Sequence, residues 1–215
     1  SGQKVEGLVR GLDRTWRISP AGKYLIEFDM NHSTMTATLL DTEGKGTEEE
    51  PYLIKNANDL RTMQGLMAKN KTTYFRLEND ICMTDMGWWP LNNQFFGNSL
   101  NESTNKSVVL DGANHLIIDL QPAVSPQNEF GTGFFGTLVG EVKNIGFVNA
   151  KIEGGNAVGV GVLAGKVGIE GGSTASKITD SYFVGSVTSA GNAGGMVGIV
   201  DGETTINNIY TNVAL

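Results

Sequence analysis

The sequence predicts an all-β fold: a right-handed parallel β-helix with one short capping helix, preceded by a small antiparallel β-domain or hairpin. Three observations carry this prediction. First, Gly133-Phe134-Phe135-Gly136, Gly161-Val162-Leu163-Ala164 and Gly195-Met196-Val197-Gly198 all read Gly, two apolar residues, then Gly or Ala. Second, each is followed by a β-branched apolar residue with a short amide or carboxylate two positions on: Val142-Lys143-Asn144-Ile145, Ile178-Thr179-Asp180-Ser181 and Ile206-Asn207-Asn208-Ile209. The first unit recurs after 28 and 34 residues and the second after 36 and 28; a period of roughly 20–50 residues marks a solenoid, propeller or array. Third, the apolar runs in this half are short, lack helical spacing and are punctuated by Gly and Asn, which favours strands separated by turns. A generic β-sandwich would not require matching units. In a β-helix the apolar side chains of each coil turn inward, and the recurring Asn144, Asp180 and Asn208 line up at one corner, where Asn and Asp tolerate a left-handed backbone.

Taken in order, residues 1–41 read as a small antiparallel β region. Thr15–Ile18 is a short strand; Lys23–Met30 and Thr34–Leu40 form a hairpin about Asn31-His32-Ser33. A lone hairpin is marginal in water, so this region is expected to pack on the next domain or to close an incomplete sandwich. Residues 42–51 read as a linker, with Gly44, Gly46 and the run Glu48-Glu49-Glu50. The β-helix occupies 52–215. It opens with the strand Tyr52–Ile54 and a helix near 57–69: Asn56 is the N-cap, Asp59 lies in the first turn, and Leu60, Met63 and Met67 form an apolar stripe. Such a helix covers an open end that would otherwise be an exposed sheet edge. Strands follow in Thr72–Met83 and Val108–Leu120. Gly97–Ser107 and Gln121–Thr132 read as surface loops, and Glu153–Asn156 and Glu170–Thr174 as lengthened corners. Leu215 falls within an apolar strand, so the natural chain is expected to continue or to be covered by another molecule.

The 215 residues carry 16 basic and 23 acidic side chains, a net charge of −7. An acidic chain without a basic stripe argues against nucleic acid and anionic membrane surfaces as partners, and no apolar run is long enough to insert in a membrane. Cys82 is the sole cysteine, so no internal disulfide can form. Its setting, Asp80-Ile81-Cys82-Met83, predicts a buried, inert thiol. The chain starts Ser-Gly-Gln, so the lack of an export signal carries no information.

One stretch invites a ligand. Trp88-Trp89 and Phe95-Phe96 are separated by Asn92, Asn93 and Gln94. Sugar rings offer apolar C–H faces that stack on aromatic planes, and amides hydrogen-bond hydroxyls, so Trp88, Asn92, Asn93 and Gln94 are the candidate glycan-binding residues. Trp89 and Phe96 are expected in the core; alternation then points Trp88 outward. Catalysis finds little support. Glycoside hydrolysis needs two carboxylates across a cleft, but Asp111, Asp119, Glu129, Glu141, Asp180 and Asp201 are scattered and form no recognisable pair. His115 follows a turn and reads as structural. There is no Ser-His-Asp order and no cysteine–histidine zinc set, so no catalytic residue, metal or cofactor is expected.

The units Gly133–Gly136 with Val142–Ile145, and Gly194–Gly198, resemble the bacterial GLUG repeat, named for a Gly-Leu-aliphatic-Gly signature. Upstream, Pro51-Tyr52-Leu53-Ile54, Trp89-Pro90-Leu91 and Leu110-Asp111-Gly112-Ala113-Asn114-His115 resemble the cap and first coils that precede such repeats. Ala164 stands in a closing-Gly position, and Phe134, Val162 and Met196 stand where Leu is usual. The resemblance implies the β-helix, a place on the bacterial outer surface, an adhesin-like role and no shared catalytic residues. Around Trp16-Arg17-Ile18 and Met35-Thr36-Ala37-Thr38 the chain resembles the closing strands of sandwich domains in outer-membrane starch-binding lipoproteins, which implies glycan handling. Together these predict a non-enzymatic, extracellular adhesion module of a longer chain, contacting a glycan or a surface protein. The alternatives are a polysaccharide lyase or hydrolase on the same scaffold, or a structural spacer.

Overall fold

The computed structural model describes residues 41–68, 71–92, 106–123 and 131–215, and the backbone of four short strands before them. Of those four, β1 (Val9–Arg10) pairs antiparallel with β2 (Trp16–Arg17), and β3 (Tyr24–Asp29) with β4 (Thr34–Leu39). The second pair has the expected hairpin register, Tyr24 opposite Leu39 and Phe28 opposite Met35; the connecting residues Asn31-His32-Ser33 lie outside the described residues.

From residue 52 onward the chain winds into a parallel β-solenoid of about four turns. The first coil is led in by β5 (Tyr52–Ile54) and α1 (Ala57–Leu66) and runs through β6 (Thr73–Leu77) and β7 (Ile81–Cys82). The second holds β8 (Val108–Asp111), β9 (Leu116–Ile118) and β10 (Phe135–Leu138). The third holds β11 (Gly140–Lys143), β12 (Gly146–Gly155), β13 (Gly159–Val160) and β14 (Ala164–Val167). The fourth holds β15 (Ser176–Ser189), β16 (Asn192–Ala193) and β17 (Val197–Val200), and β18 (Thr204–Ala214) opens a fifth.

These strands stack into three walls. The first is β5, β6, β8, β11 and the leading halves of β15 and β18; the second is β7, β9, β12 and the trailing halves of β15 and β18. The third is β10, β14 and β17, with the short β13–β16 pair beside it.

From the third coil on, one left-handed residue per coil marks the corner between the first two walls. Asn144, Asp180 and Asn208 hold φ of 53°, 50° and 52°, the left-handed region that Asn and Asp enter at least cost among residues with a side chain. Their side chains tie the coils together: Asn144 Nδ2 donates to Asp111 Oδ1 at 3.0 Å, and Asn208 Nδ2 to Asp180 Oδ1 at 2.6 Å. The expected corner is therefore present, in the expected register: Val142, Ile178 and Ile206 are level, as are Phe147, Phe183 and Thr211.

Inward side chains form one continuous core. Val108, Leu110, Val142 and Ile178 line the first wall, and Ile117, Phe147 and Phe183 the second, all fully buried. Phe147 and Phe183 stack with ring centroids 5.5 Å apart, and Phe134 meets Phe147 edge-on at 5.4 Å, geometries that add to the burial of area.

The third wall corrects the expected glycine alignment. Pairing sets Phe135 level with Ala164 and Ala164 level with Val197. The closing glycines are thus Gly136, Gly165 and Gly198, and Ala164 does not replace one; the third coil has slipped by a residue. The coil is narrow here. A Cβ on Gly165 would run into the backbone of Gly131 and Thr132, and one on Gly198 into that of Gly159 and Val160.

Helix α1 closes one end. Asn56 accepts from the backbone N–H groups of Asn58 and Asp59 at 2.9 and 3.2 Å, capping the first turn. Leu60 and Met63 are fully buried in the core. The helix also bonds to residues after β7: Arg61 donates to the Gly87 carbonyl, and Gln64 Oε1 accepts from Asn92 N. The helix is shorter than the expected 57–69, because Met67 takes an extended backbone.

Candidate binding face

The predicted site does not form as expected. Trp88 is buried, only 2% exposed, with its ring stacked on Phe134 at 4.8 Å and Nε1 donating to the Phe134 carbonyl at 3.0 Å. Trp89 takes the outward place, 50% exposed. The expectation for the pair is therefore reversed. Strand alternation fails here because Trp88 and Leu91 make isolated bridges, to Pro122 and Phe135, with Pro90 between. Asn92 is also turned inward, 5% exposed, its Nδ2 donating to the Lys106 carbonyl at 2.9 Å. With φ at 52° it is a turn residue whose amide is committed to the fold. Asn93 and Gln94, and with them Phe95 and Phe96, lie outside the described residues, as do most of the predicted loops 97–107 and 121–132.

A different surface gathers apolar side chains on the outside: the outer face of the second wall. There Ile117, Phe147 and Phe183 point in, so their neighbours point out. One outward row is Leu116, Gly146, Tyr182 and Tyr210; beyond it Ile118 is level with Val148 and Val184 with Asn212, the two pairs separated by a register shift between β12 and β15 after Phe147. Tyr182 and Tyr210 are level on adjacent strands and 38% and 59% exposed. Gly146 shapes this row. A Cβ there would overlap the Cζ of Tyr182 and lie 2.7 Å from its Oη. The ring therefore leans over the glycine, in the space that a side chain there would fill beside Leu116. Tyr182 is legible in the sequence as the residue in register with Gly146; treating large aromatics as core obscured it.

Polar groups rim this face. On the corner side, Asp80 Oδ1 sits 3.1 Å from His115 Nδ1 and accepts from Leu116 N at 3.0 Å, and the Asp180–Asn208 pair lies beyond it. On the other side, Asp119 Oδ2 accepts from Thr84 Oγ1 at 2.5 Å and Asp119 Oδ1 accepts from Asn149 Nδ2 at 2.6 Å. These two hydrogen bonds, Thr84 first, hold the Asp119 carboxyl below the usual carboxylate range. Cys82 belongs to this group. It is exposed, its Sγ 2.9 Å from Thr84 Oγ1 and 3.7 Å from Asp119 Oδ2. The expectation of a buried thiol is thus corrected: Ile81 and Met83 are the inward residues, and Cys82 between them faces out. His115 follows the turn, with its ring against Asp80. Among the described residues no group of three His, Cys, Asp or Glu side chains could hold a metal ion, and no helix is long and apolar enough to cross a membrane.

Fold and face together define a β-solenoid scaffold that presents a flat outer surface. No protein-family model matches the chain. It is similar to halomucin of Haloquadratum walsbyi, 29% identical over 173 residues, which are 78% of this chain and 2% of halomucin. It is also similar to the crystal structure of a proposed immunoglobulin A1 protease from Bacteroides ovatus, with a TM-score of 0.69 and 29% identity over 79% of this chain and 49% of that one. The chain thus spans less than half the length of either protein.

Proposed function

We propose that this chain is a non-enzymatic binding module of a bacterial cell-surface protein: a rigid rod that holds one outer face toward an extracellular partner. The carrying observation is the second wall, whose outward rows bear Leu116, Ile118, Val148, Val184, Tyr182 and Tyr210. Isolated apolar residues on a surface need no explanation, but a contiguous apolar face rimmed by polar groups marks an interaction site. A solenoid suits this role because its coils form an extended surface fixed by their stacking. The likeness to halomucin supports a place at the cell surface, and the greater length of both relatives supports a module within a larger protein. The GLUG-like signature fits the same reading.

A second reading, an enzyme or part of one, has a specific support: the Bacteroides relative is described as a protease. One experiment separates the two. Beads coated with the purified chain are exposed to polysaccharides and extracellular proteins, immunoglobulin A1 among them, scoring retention together with release of new reducing ends or peptide fragments. Saturable retention without product is expected. Product release transfers the reading to the enzyme, and neither retention nor product leaves a spacer.

A further inference from the structure

We infer that the Tyr182–Tyr210 row is a binding platform for an uncharged glycan, stacking pyranose rings on the two tyrosines. The inference rests on the binding-module reading and gives it a site and a ligand class. Three observations on this face converge on that class.

The first is exposed aromatic area. The missing side chain at Gly146 lets the Tyr182 ring lean over the glycine, and the residue remains 38% exposed. A pyranose carries its axial C–H groups on a flat apolar face, and that face is complementary to an exposed aromatic ring. Tyr210, in register on the adjacent strand, extends the surface along the solenoid axis, as an oligosaccharide longer than one unit requires.

The second is the rim. Asp80, Asp180 and Asn208 on one side and Asp119 and Asn149 on the other supply carboxylates and amides beside the apolar rows. Sugar hydroxyls donate to carboxylates and pair with amides in both senses.

The third is charge. Outward residues of the first wall include the cations Arg76, Lys143 and Lys177, whereas the described outward residues of the second wall between the corner and Asn149 include no Lys or Arg. Lys151, two residues beyond, is paired with Glu153 at 2.7 Å. An acidic rim on a chain of net charge −7 repels uronates, sialates and sulfated sugars, so the glycan that fits is neutral.

Affinity electrophoresis tests this. The intact chain is run through gels holding mixed-linkage β-glucan, xylan, mannan or soluble starch, with polygalacturonate as the acidic comparison. Retardation by at least one neutral polysaccharide and none by polygalacturonate is expected. Tyr182→Ala and Tyr210→Ala should each weaken binding about fivefold to tenfold, the worth of one stacked ring, while Trp89→Ala, on a different part of the surface, should not. Because both tyrosines are exposed, these variants should keep the parent's circular dichroism and melting temperature; Tyr182→Leu serves if the alanine variant does not fold. Gly146→Ala, which lifts the ring, should lower affinity with the tyrosine intact. Retardation by no neutral gel, retardation unaffected by either tyrosine, or tyrosine-dependent binding to a polylysine surface instead would each overturn the glycan platform. None of these would touch the binding-module reading, which stands or falls on retention in the bead assay.

Discussion

Asn208 donates through Nδ2 to Asp180 Oδ1 across adjacent rungs, at 2.6 Å, while both residues bend the backbone through a positive φ. The same side chain thus permits the corner and bonds it to the next coil. Asn144 does both in the interior of the stack, bonding to Asp111. Replacing Asn144 by Ala removes the bond and leaves a strained backbone, at a cost of about 1–3 kcal/mol. Asn144→Gly removes the bond alone and should recover part of that loss. Urea denaturation of the two variants measures the difference; equal losses would show that backbone strain contributes nothing.

Two glycines should respond very unequally to the same added methyl. At Gly165 a Cβ meets the backbone of Gly131 and Thr132, which cannot move without opening the coil; Gly165→Ala should cost about 3 kcal/mol or more. At Gly146 it meets the far end of the Tyr182 side chain, which can swing away, so Gly146→Ala should cost less than about 1 kcal/mol. Thermal unfolding of the pair decides; similar losses would contradict the narrow third wall.

Asp119 should give the fold an acid sensitivity. Hydrogen bonds from Thr84 and Asn149 favour its charged form in the folded state and lower its pKa. Its stabilisation is therefore complete above the ordinary carboxylate range and is lost as the pH falls through the lowered folded value. Asp119→Asn lacks this dependence. The stability difference between parent and variant, followed by circular dichroism from neutral to strongly acidic solution, should be largest at neutral pH and shrink on acidification. A difference that is flat with pH would sink the assignment.

Cys82 faces solvent beside Thr84 and Asp119. Native protein should therefore react with a thiol reagent at one site per chain, within about tenfold of the rate in denaturant. Protection until unfolding would restore the buried thiol.

Much of this architecture is readable in the residues. Asn144, Asp180 and Asn208 recur because only a few residue types accept the corner's backbone, and Asn56 announces the helix because its side chain caps it. What escaped was decided at a distance. Whether Trp88 or Trp89 turns inward depends on Phe134, which stacks on the Trp88 ring from the next coil. The one-residue slip that makes Gly165 the closing glycine depends on pairing with Phe135 and Val197. The tyrosine row was hidden for another reason. A lone Tyr182 resembles a core aromatic, and its outward role emerges only when Gly146 is set beside it on the neighbouring strand.

The stacking of rungs also fixes how the protein answers a mechanical load. Every wall is held by backbone bonds that run along the solenoid axis, between one coil and the next. A pull along that axis opens them in sequence, like a zipper, one coil at a time. Each released coil of about 30 residues pays out roughly 100 Å of slack chain while the remaining coils stay folded. Under tension such a rod yields coil by coil and does not snap at once.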